Sequence, residues 1–249
     1  EILPEMYTWA FRELRGIIKG ADPTAKIGIG GVIQFTPLRQ EWLDRVWTHY
    51  KAITGVNIDS HIDVFNIHNF IGSERCDLMP NTAINNRMER FCSGMGIPAG
   101  VTGTKSGNTW MGSYIGQDNR HLDIPTANEQ ITNFRAWMKS KSASNVDKPL
   151  IVSEYGALYP ELCAPTNQGC IDFYTGNPLA QPWGWVDFSK PSVVQKYMTD
   201  SFNAFNSTLR DCSLSGAANN CLLVQRWAWF GLEDIGWNFN SHGALLNLS

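Results

Sequence analysis

Several features that would place a chain in a particular class of protein are absent from this sequence. Its 249 residues include no apolar run of the roughly 18 residues that a membrane-spanning helix needs. Charged residues make up only 17% of the chain, the net charge is −3, and the basic stripe typical of nucleic-acid-binding proteins is missing. We therefore expect neither a membrane nor a nucleic acid as a partner.

The motifs of several catalytic and metal sites are also missing. There is no Gly-x-Ser-x-Gly, which makes a Ser-His-Asp esterase the weakest of the functions considered. There is no Cys-x-x-Cys pair, no zinc-knuckle spacing and no cluster of histidines and carboxylates, so no metal is expected. A signal-like start is lacking too, and we interpret Glu1 as the first residue of a processed or truncated chain.

What the sequence does contain is six cysteines, in three local pairs that bracket stretches rich in Gly, Pro, Asn or Ser. The simplest connectivity joins neighbours along the chain, and the alternative is six buried free thiols. Disulfides indicate an oxidising compartment, and the sequons at Asn206 and Asn247 agree with that. We therefore predict a secreted, extracellular protein with the disulfides Cys76–Cys92, Cys163–Cys170 and Cys212–Cys221.

A helix, a short apolar strand and a loop follow one another four times. With 43% hydrophobic residues, the chain can bury a sizeable core. Helices alternating with apolar strands are typical of parallel βα units. We predict one α/β domain over residues 1–249, with helices at 4–20, 37–54, 126–142 and 193–209, strands at 25–33, 63–70, 149–154 and 222–230, and a long loop from 71 to about 125.

Polar residues at the carboxyl ends of parallel strands are candidates for function, because ligands of such folds bind there. Glu154 ends the third predicted strand, and alternation of side chains predicts that it shares one face with Leu150 and Val152. A carboxylate there needs donors, which a tyrosine hydroxyl, His68 or Arg226 could supply. The alternative is that Glu154 forms a structural salt bridge or caps the next loop.

His68 and Asn66 lie near the end of the second predicted strand. The alternative for a histidine on a strand is a hydrogen-bonded core residue. A position at the same end of the sheet as Glu154 favours a functional role.

Ten tryptophans are present, and those in predicted helices are interpreted as packing. Tryptophans in loops or at a strand end could stack against the apolar face of a sugar ring. The alternative is that they cover the core beneath long loops. The second group comprises Trp110, Trp183, Trp185, Trp227, Trp229 and Trp237.

Four segments resemble, in order, parts of the retaining glycoside hydrolases with a (β/α)8 TIM barrel, the superfamily called clan A. Residues 148–156 (Lys-Pro-Leu-Ile-Val-Ser-Glu-Tyr-Gly) resemble its seventh strand, which carries the nucleophile. Residues 223–230 (Leu-Val-Gln-Arg-Trp-Ala-Trp-Phe) resemble the eighth strand and 63–70 the sixth, while 21–31 resemble the join between a helix and the fifth. The resemblance implies a TIM-barrel-type fold of which this chain shows about four βα units.

The same resemblance implies a retaining O-glycosyl hydrolase that acts on a poly- or oligosaccharide and requires no cofactor. Glu154 would attack the anomeric carbon, and a second carboxylic acid would protonate the leaving oxygen. Around Glu154, polar residues would position the nucleophile or the sugar hydroxyls, and tryptophans would stack on sugars. The resemblance implies these roles for Asn66, His68 and Tyr155, for Trp229 with Trp227 as second choice, and for Trp183, Trp185 and Trp237 in the outer cleft.

The chain departs from this family at the second carboxylate. The family's acid is a Glu that follows an Asn at the end of strand four, whereas Asn128-Glu129 here lies at a helix start. Strands one to four are not found. Either the chain is the C-terminal part of a full barrel, which we expect, or a partner chain completes the barrel, or the strand count is wrong. The alternative function is a non-catalytic carbohydrate-binding or extracellular structural protein on a hydrolase-like barrel.

Overall fold

The computed structural model describes residues 2–72, 74–81, 87–101, 103–106, 109–111, 120–158, 190–231 and 243–245. Within them lie the helices α1 (Pro4–Ala21), α2 (Pro37–Thr54), α3 (Ile124–Lys141) and α4 (Pro191–Asn203). The strands are β1 (Phe65–His68), β2 (Glu74–Asn81), β3 (Arg87–Gly94), β4 (Thr104–Ser106), β5 (Thr109–Met111), β6 (Leu150–Tyr155) and β7 (Arg226–Trp229). None of the described helices is long and apolar enough to cross a bilayer.

The starts of the helices follow from local sequence. Each helix has a proline in its first turn, where the fixed φ suits the helix and the missing N–H costs no hydrogen bond. The Thr36 hydroxyl caps α2 and the Asp123 carboxylate caps α3, each accepting from an amide three residues on. The four predicted helices are confirmed, with α4 continuing through a π-helical turn at Ala204–Thr208.

A parallel sheet in the order β1-β6-β7 forms the centre of the protein. Segment 27–29 extends it at the β1 edge through a parallel bridge between Gly28 and Val64. Strands that lie side by side in the sheet therefore follow one another in the helix–strand pattern, and α2, α3 and α4 lie between them in the sequence. The prediction of an α/β fold with parallel βα units is confirmed in this coarse form, although the predicted strand at 25–33 is reduced to this short segment.

Helices cover one face of this sheet. The Phe65 ring of β1 lies 6.3 Å from Trp47 of α2 and 6.4 Å from Trp137 of α3, between ring centroids. Further along, Tyr155 of β6 contacts Phe205 of the π-helical turn at 5.3 Å. Phe65, Ile67, Leu150, Val152 and Tyr155 are completely buried, and so these side chains form the core between the sheet and the helices.

The other face of the parallel sheet carries the residues that alternate with this core. They are half-buried or exposed in the described structure, in contrast to the core residues beside them. We call this side the open face, and it consists of Asn66, His68, Ile151, Glu154, Arg226 and Ala228.

A second, antiparallel sheet has the order β3-β2-β5-β4. The prediction of one long loop from 71 to about 125 is therefore wrong. Cys76 of β2 lies directly opposite Cys92 of β3 and is disulfide-bonded, a register compatible with the predicted Cys76–Cys92 pair. Alternation of apolar residues is weak in these strands, and so periodicity alone did not reveal them.

The predicted Cys212–Cys221 disulfide is confirmed, with a sulfur–sulfur distance of 2.03 Å. Asn206 is exposed on the π-helical turn, where a glycan could be attached. The remaining predicted pair and sequon, Cys163, Cys170 and Asn247, lie outside the described residues.

Candidate functional site

The carboxylate of Glu154 reaches the open face because strand β6 contains an irregularity. Ile67 pairs with Val152 and the next residue, His68, pairs with Glu154, so one residue of β6 is skipped. On the other side Val152 pairs with Trp227 and Tyr155 with Trp229, which shows the same extra residue. A β-bulge of this kind changes which side chains lie on each face of a strand.

The predicted alternation in β6 is therefore wrong. Leu150 and Val152 are fully buried against the helices, whereas the side chain of Glu154 is 43% exposed on the opposite face. Regular alternation would have placed Glu154 in the apolar core, where an unpaired carboxylate is costly. The bulge removes that cost and leaves Glu154 accessible at the carboxyl end of β6.

The imidazole ring of His68 lies beside the Glu154 carboxylate. The distance from His68 Nδ1 to Glu154 Oε2 is 3.6 Å, which is a close electrostatic contact but longer than a hydrogen bond. Burial lowers the pKa of His68 below its ordinary value, and the negative charge of Glu154 opposes that shift without cancelling it. This shift favours the neutral ring, which can donate one hydrogen.

Glycine 31 fits tightly against the same histidine. A Cβ atom at Gly31 would lie 2.8 Å from His68 Cδ2 and 3.0 Å from Asn66 Nδ2. Real Cβ contacts of 2.8 Å are essentially never seen, so only glycine leaves room for both side chains. The carboxamide oxygen of Asn66 is buried and has no hydrogen-bond partner in the described part of the chain.

Backbone hydrogen bonds fix these strand ends relative to one another. The amide of Asn69 donates to the carbonyl of Glu154 at 2.9 Å, and the amide of His68 donates to the carbonyl of Val32 at 2.8 Å. The amide of Phe230 donates to the carbonyl of Tyr155 at 2.8 Å. These three bonds hold the residues at the carboxyl ends of neighbouring strands together, at the edge of the sheet where Glu154 and His68 lie.

Tyr155, Trp227 and Trp229 are not brought together with the Glu154 carboxylate. Tyr155 is completely buried on the helix side, where its hydroxyl accepts from Ser201 at 3.4 Å and burial raises its pKa. The Trp227 ring packs on the π-helical turn, and Trp229 packs on Tyr155. These contacts place all three side chains on the face that is covered by helices.

Three more of the residues predicted to stack on sugars lie outside the described residues: Trp183, Trp185 and Trp237. Arg226, predicted as a possible donor to Glu154, pairs in register with Ile151 and donates to the carbonyl of Gln225. It lies on the open face, nearer the amino end of the sheet.

Two features beside His68 were not found from the sequence. Phe70 contacts the His68 ring edge to face at 6.3 Å, and Phe230 contacts Phe70 at 5.8 Å. On the far side of the Gly31 backbone lies a mainly apolar cavity of about 350 Å³, lined by Tyr7, Trp42, Val32 and Met95 among others. The adjacent glycines at 30 and 31 after an apolar strand were the available signal, since such pairs mark a close approach of the backbone.

The arrangement can perform acid–base or nucleophilic chemistry at one carboxylate. Glu154 is exposed enough to reach a substrate, and the neutral His68 beside it can donate to a hydroxyl or orient the carboxylate. Among the described residues, no group of three or more histidines, cysteines and carboxylates could hold a metal ion.

Comparison with known proteins gives no match: no family model, no curated protein and no solved structure matches this chain.

Proposed function

We propose that this chain belongs to a retaining O-glycosyl hydrolase that acts on a poly- or oligosaccharide, with Glu154 as the nucleophile. The observation that carries the proposal is the Glu154–His68 pair at the carboxyl ends of adjacent parallel strands, 3.6 Å apart and open to solvent. A strand-end carboxylate of this kind can attack an anomeric carbon and form a covalent glycosyl-enzyme.

His68 and Asn66 act as positioning residues for the sugar in this proposal. Both lie on the open face, two residues apart in β1, and both fit against Gly31. The neutral imidazole can donate to one sugar hydroxyl, and the amide group of half-buried Asn66 can donate to another. Trp227 and Trp229 support the strand from the helix side and have no part in sugar stacking here.

The finer fold assignment is part of the same proposal. A sheet whose neighbouring strands are successive in the chain, with helices on one face, supports a barrel rather than a doubly wound sheet. We assign segment 27–29, β1, β6 and β7 to strands five to eight of a (β/α)8 barrel. The Cys212–Cys221 disulfide supports a secreted location.

The test is turnover of a panel of glycans by the wild-type chain and by Glu154→Gln. The variant is isosteric, and removal of the nucleophile should lower kcat by more than about 10³-fold. Glu129→Gln is the matched control, because Glu129 is an exposed carboxylate of helix α3 and does not belong to the open face. Equal turnover by Glu154→Gln and wild type contradicts the assignment.

A second measurement distinguishes a nucleophile from a general base. A 2-deoxy-2-fluoro glycoside with a good leaving group forms a stable glycosyl ester with a nucleophilic carboxylate. Mass spectrometry should locate that ester on the peptide containing Glu154. Label on another residue, with Glu154 unmodified, assigns Glu154 a different role.

One observation favours a non-catalytic carbohydrate-binding or extracellular structural protein as a second candidate. Retaining hydrolysis needs two carboxyl groups about 5–5.5 Å apart. The residues that share the open face with Glu154 carry no second carboxylate: Asn66, His68, Ile151, Arg226 and Ala228. Glycan binding without turnover, weakened by His68→Ala, supports this candidate.

A further inference from the structure

The side chain of His121 connects the loop that follows β1 to the loop that follows β6. His121 Nδ1 lies 2.7 Å from the carbonyl oxygen of Ile71, and the amide of Leu158 donates to His121 Nε2 at 2.8 Å. Ile71 comes shortly after His68 in the chain, and Leu158 comes shortly after Glu154. The imidazole thus joins the two segments that leave the candidate site, and we call it the His121 bridge.

The two partners of the imidazole determine its tautomer. Because Nε2 accepts a hydrogen bond from a backbone amide, it carries no hydrogen. The carbonyl oxygen of Ile71 can only accept, and so the ring hydrogen is on Nδ1. The side chain is buried, where a backbone group that loses its partner is costly. The ring is therefore a neutral bridge with one donor and one acceptor.

The backbone at His121 is fixed by the start of helix α3. The amide of Asp123 donates to the carbonyl of Arg120 at 2.9 Å, which closes a turn around His121. Asp123 is also the cap of α3 and accepts from the amide and the hydroxyl of Thr126. The imidazole is thus held by a helix that packs on the sheet, and it belongs to neither of the loops that it joins.

The segment from Glu154 to Leu158 passes closely over the end of β7. Gly156 has a φ of +154°, which residues with a Cβ rarely adopt. A Cβ at Gly156 would lie 3.2 Å from the carbonyl oxygen of Phe230. The chain therefore turns sharply just after the carboxylate, and the His121 bridge holds the far end of this turn.

A second side-chain bridge of the same kind lies on the other side of β1. Gln130 of α3 donates to the carbonyl of Phe70 at 3.0 Å and accepts from the amide of Phe35 at 2.7 Å. Its side chain is also completely buried. A carboxamide therefore performs, at the neighbouring connection, the donor-and-acceptor role of the His121 ring. Glutamine is accordingly the conservative substitute for His121.

We propose that His121 is a positioning residue for the candidate nucleophile: its neutral ring fixes the loop after β6 and so holds the Glu154 carboxylate beside His68. The near end of this loop is tied to the β1 side by the bond from the Asn69 amide to the Glu154 carbonyl. The His121 bridge ties the far end to the same side. The catalytic consequence rests on the proposed function, whereas the effect on the position of Glu154 does not.

The experiment compares the full wild-type chain with His121→Gln, His121→Ala and Asn145→Ala. Asn145→Ala is the matched control, because Asn145 is also buried and also makes two hydrogen bonds, to Asp59 and to the carbonyl of Met138. It lies before the amino end of β6, at the end of the sheet opposite the candidate site. The control therefore reports what a general loss of stability does.

Three measurements need no substrate. NMR of the ring nitrogens identifies the tautomer of His121 in the wild type. Hydrogen exchange with mass spectrometry measures the protection of the amides in segment 155–158. NMR titration measures the pKa of His68, which responds to the distance of the Glu154 charge.

We expect the wild-type His121 ring to carry its hydrogen on Nδ1. In His121→Ala, segment 155–158 should exchange about fivefold faster or more, the change that loss of one hydrogen bond produces. The pKa of His68 should fall, because the Glu154 charge that raises it moves away. His121→Gln should restore both values, and Asn145→Ala should leave both as in the wild type.

Turnover of glycans separates this proposal from the proposed function. His121→Ala should lower kcat with little change in KM, and His121→Gln should recover the wild-type kcat. Absence of turnover in the wild type contradicts the proposed hydrolase, and the positioning role is then decided by the three measurements made without substrate.

Each of three outcomes overturns the positioning role. The first is a hydrogen on Nε2 of His121 in the wild type, a result that requires no variant to fold. The second is unchanged exchange of segment 155–158 in His121→Ala. The third is a His68 pKa that does not fall in His121→Ala, or that falls equally in Asn145→Ala.

Discussion

The protonation of His68 is controlled by two opposing influences at the site. Burial favours the neutral ring and lowers the pKa, whereas the Glu154 carboxylate favours the charged ring and raises it. Burial dominates, so the folded protein prefers neutral His68. Removal of the Glu154 charge should therefore lower the His68 pKa further in Glu154→Gln, as measured by NMR titration of the ring. An unchanged or raised pKa means that the two groups do not interact.

The same shift predicts the direction of a pH effect on stability. Because the folded-state pKa of His68 lies below the unfolded value of about 6.5, the stability that the neutral ring contributes is present above that pH. It is lost as the pH falls through the folded-state pKa. Between pH 7.5 and 5, urea unfolding should show a smaller loss of stability for His68→Asn than for wild type. Equal losses in the two proteins would contradict this.

A substitution at Gly31 tests whether a glycine is required there by the lack of space beside His68 and Asn66. Its added Cβ would overlap His68 and Asn66, so Gly31→Ala should lower the free energy of unfolding by about 1–3 kcal/mol. The control is Gly16→Ala in α1, where nothing lies within 4 Å and the helix gains about 0.5–1 kcal/mol. Chemical denaturation measures both, and a neutral Gly31→Ala shows that His68 can move aside without cost.

At the scale of elements, the buried side chain of Arg135 joins helix α3 to two strands. Its guanidinium donates to the carbonyls of Leu223 and Lys148 and to the side-chain oxygen of Gln225, at 2.6 to 2.9 Å. Burial lowers the pKa of Arg135 to about 10, which still leaves the group charged at neutral pH. The residue thus fixes the amino ends of β6 and β7 beneath the candidate site.

Arg135→Met should therefore destabilise the protein strongly. The substitution keeps an apolar stem but removes three charge-assisted hydrogen bonds, one buried and two partly buried, which costs about 3 kcal/mol or more. Arg12→Met is the control, because Arg12 is 44% exposed and makes only surface contacts among the described residues, over the Trp9 ring and 3.9 Å from the Glu13 carboxylate, so its loss costs less than about 1 kcal/mol. Thermal and urea unfolding compare the two, and similar small effects exclude the bridging role.

Helices with strong apolar periodicity could be predicted from the sequence, whereas the antiparallel strands and the face of Glu154 could not. The helix at 37–54 was predicted to the residue, because a proline start, regular apolar spacing and Gly55 in the left-handed region all mark its bounds. The antiparallel strands β2 to β5 were missed because apolar and polar residues alternate only weakly in them, although β2–β3 and β4–β5 are neighbours in the chain. The face of Glu154 was predicted wrongly, because a bulge depends on the neighbouring strands and leaves no local signal.

At the scale of the whole molecule, one core joins the parallel sheet to all four helices, because buried side chains of α1, α2, α3, α4, β1 and β6 belong to a single contiguous apolar cluster. Urea unfolding followed by tryptophan fluorescence and by far-ultraviolet circular dichroism should therefore give the same midpoint. Two separate midpoints would contradict a single core.

The bulge in β6 has a consequence for how the gene can change. Removal of the Ser153 codon would leave Val152, Glu154 and Tyr155 on the sides they already occupy, because regular alternation would replace the extra residue. Removal of the Ile151 codon would instead exchange the sides of the residues around it and turn Leu150 or Val152 outward. Two in-frame deletions of three nucleotides, two codons apart, thus have different outcomes: one leaves the carboxylate on the open face, and the other turns a core side chain outward.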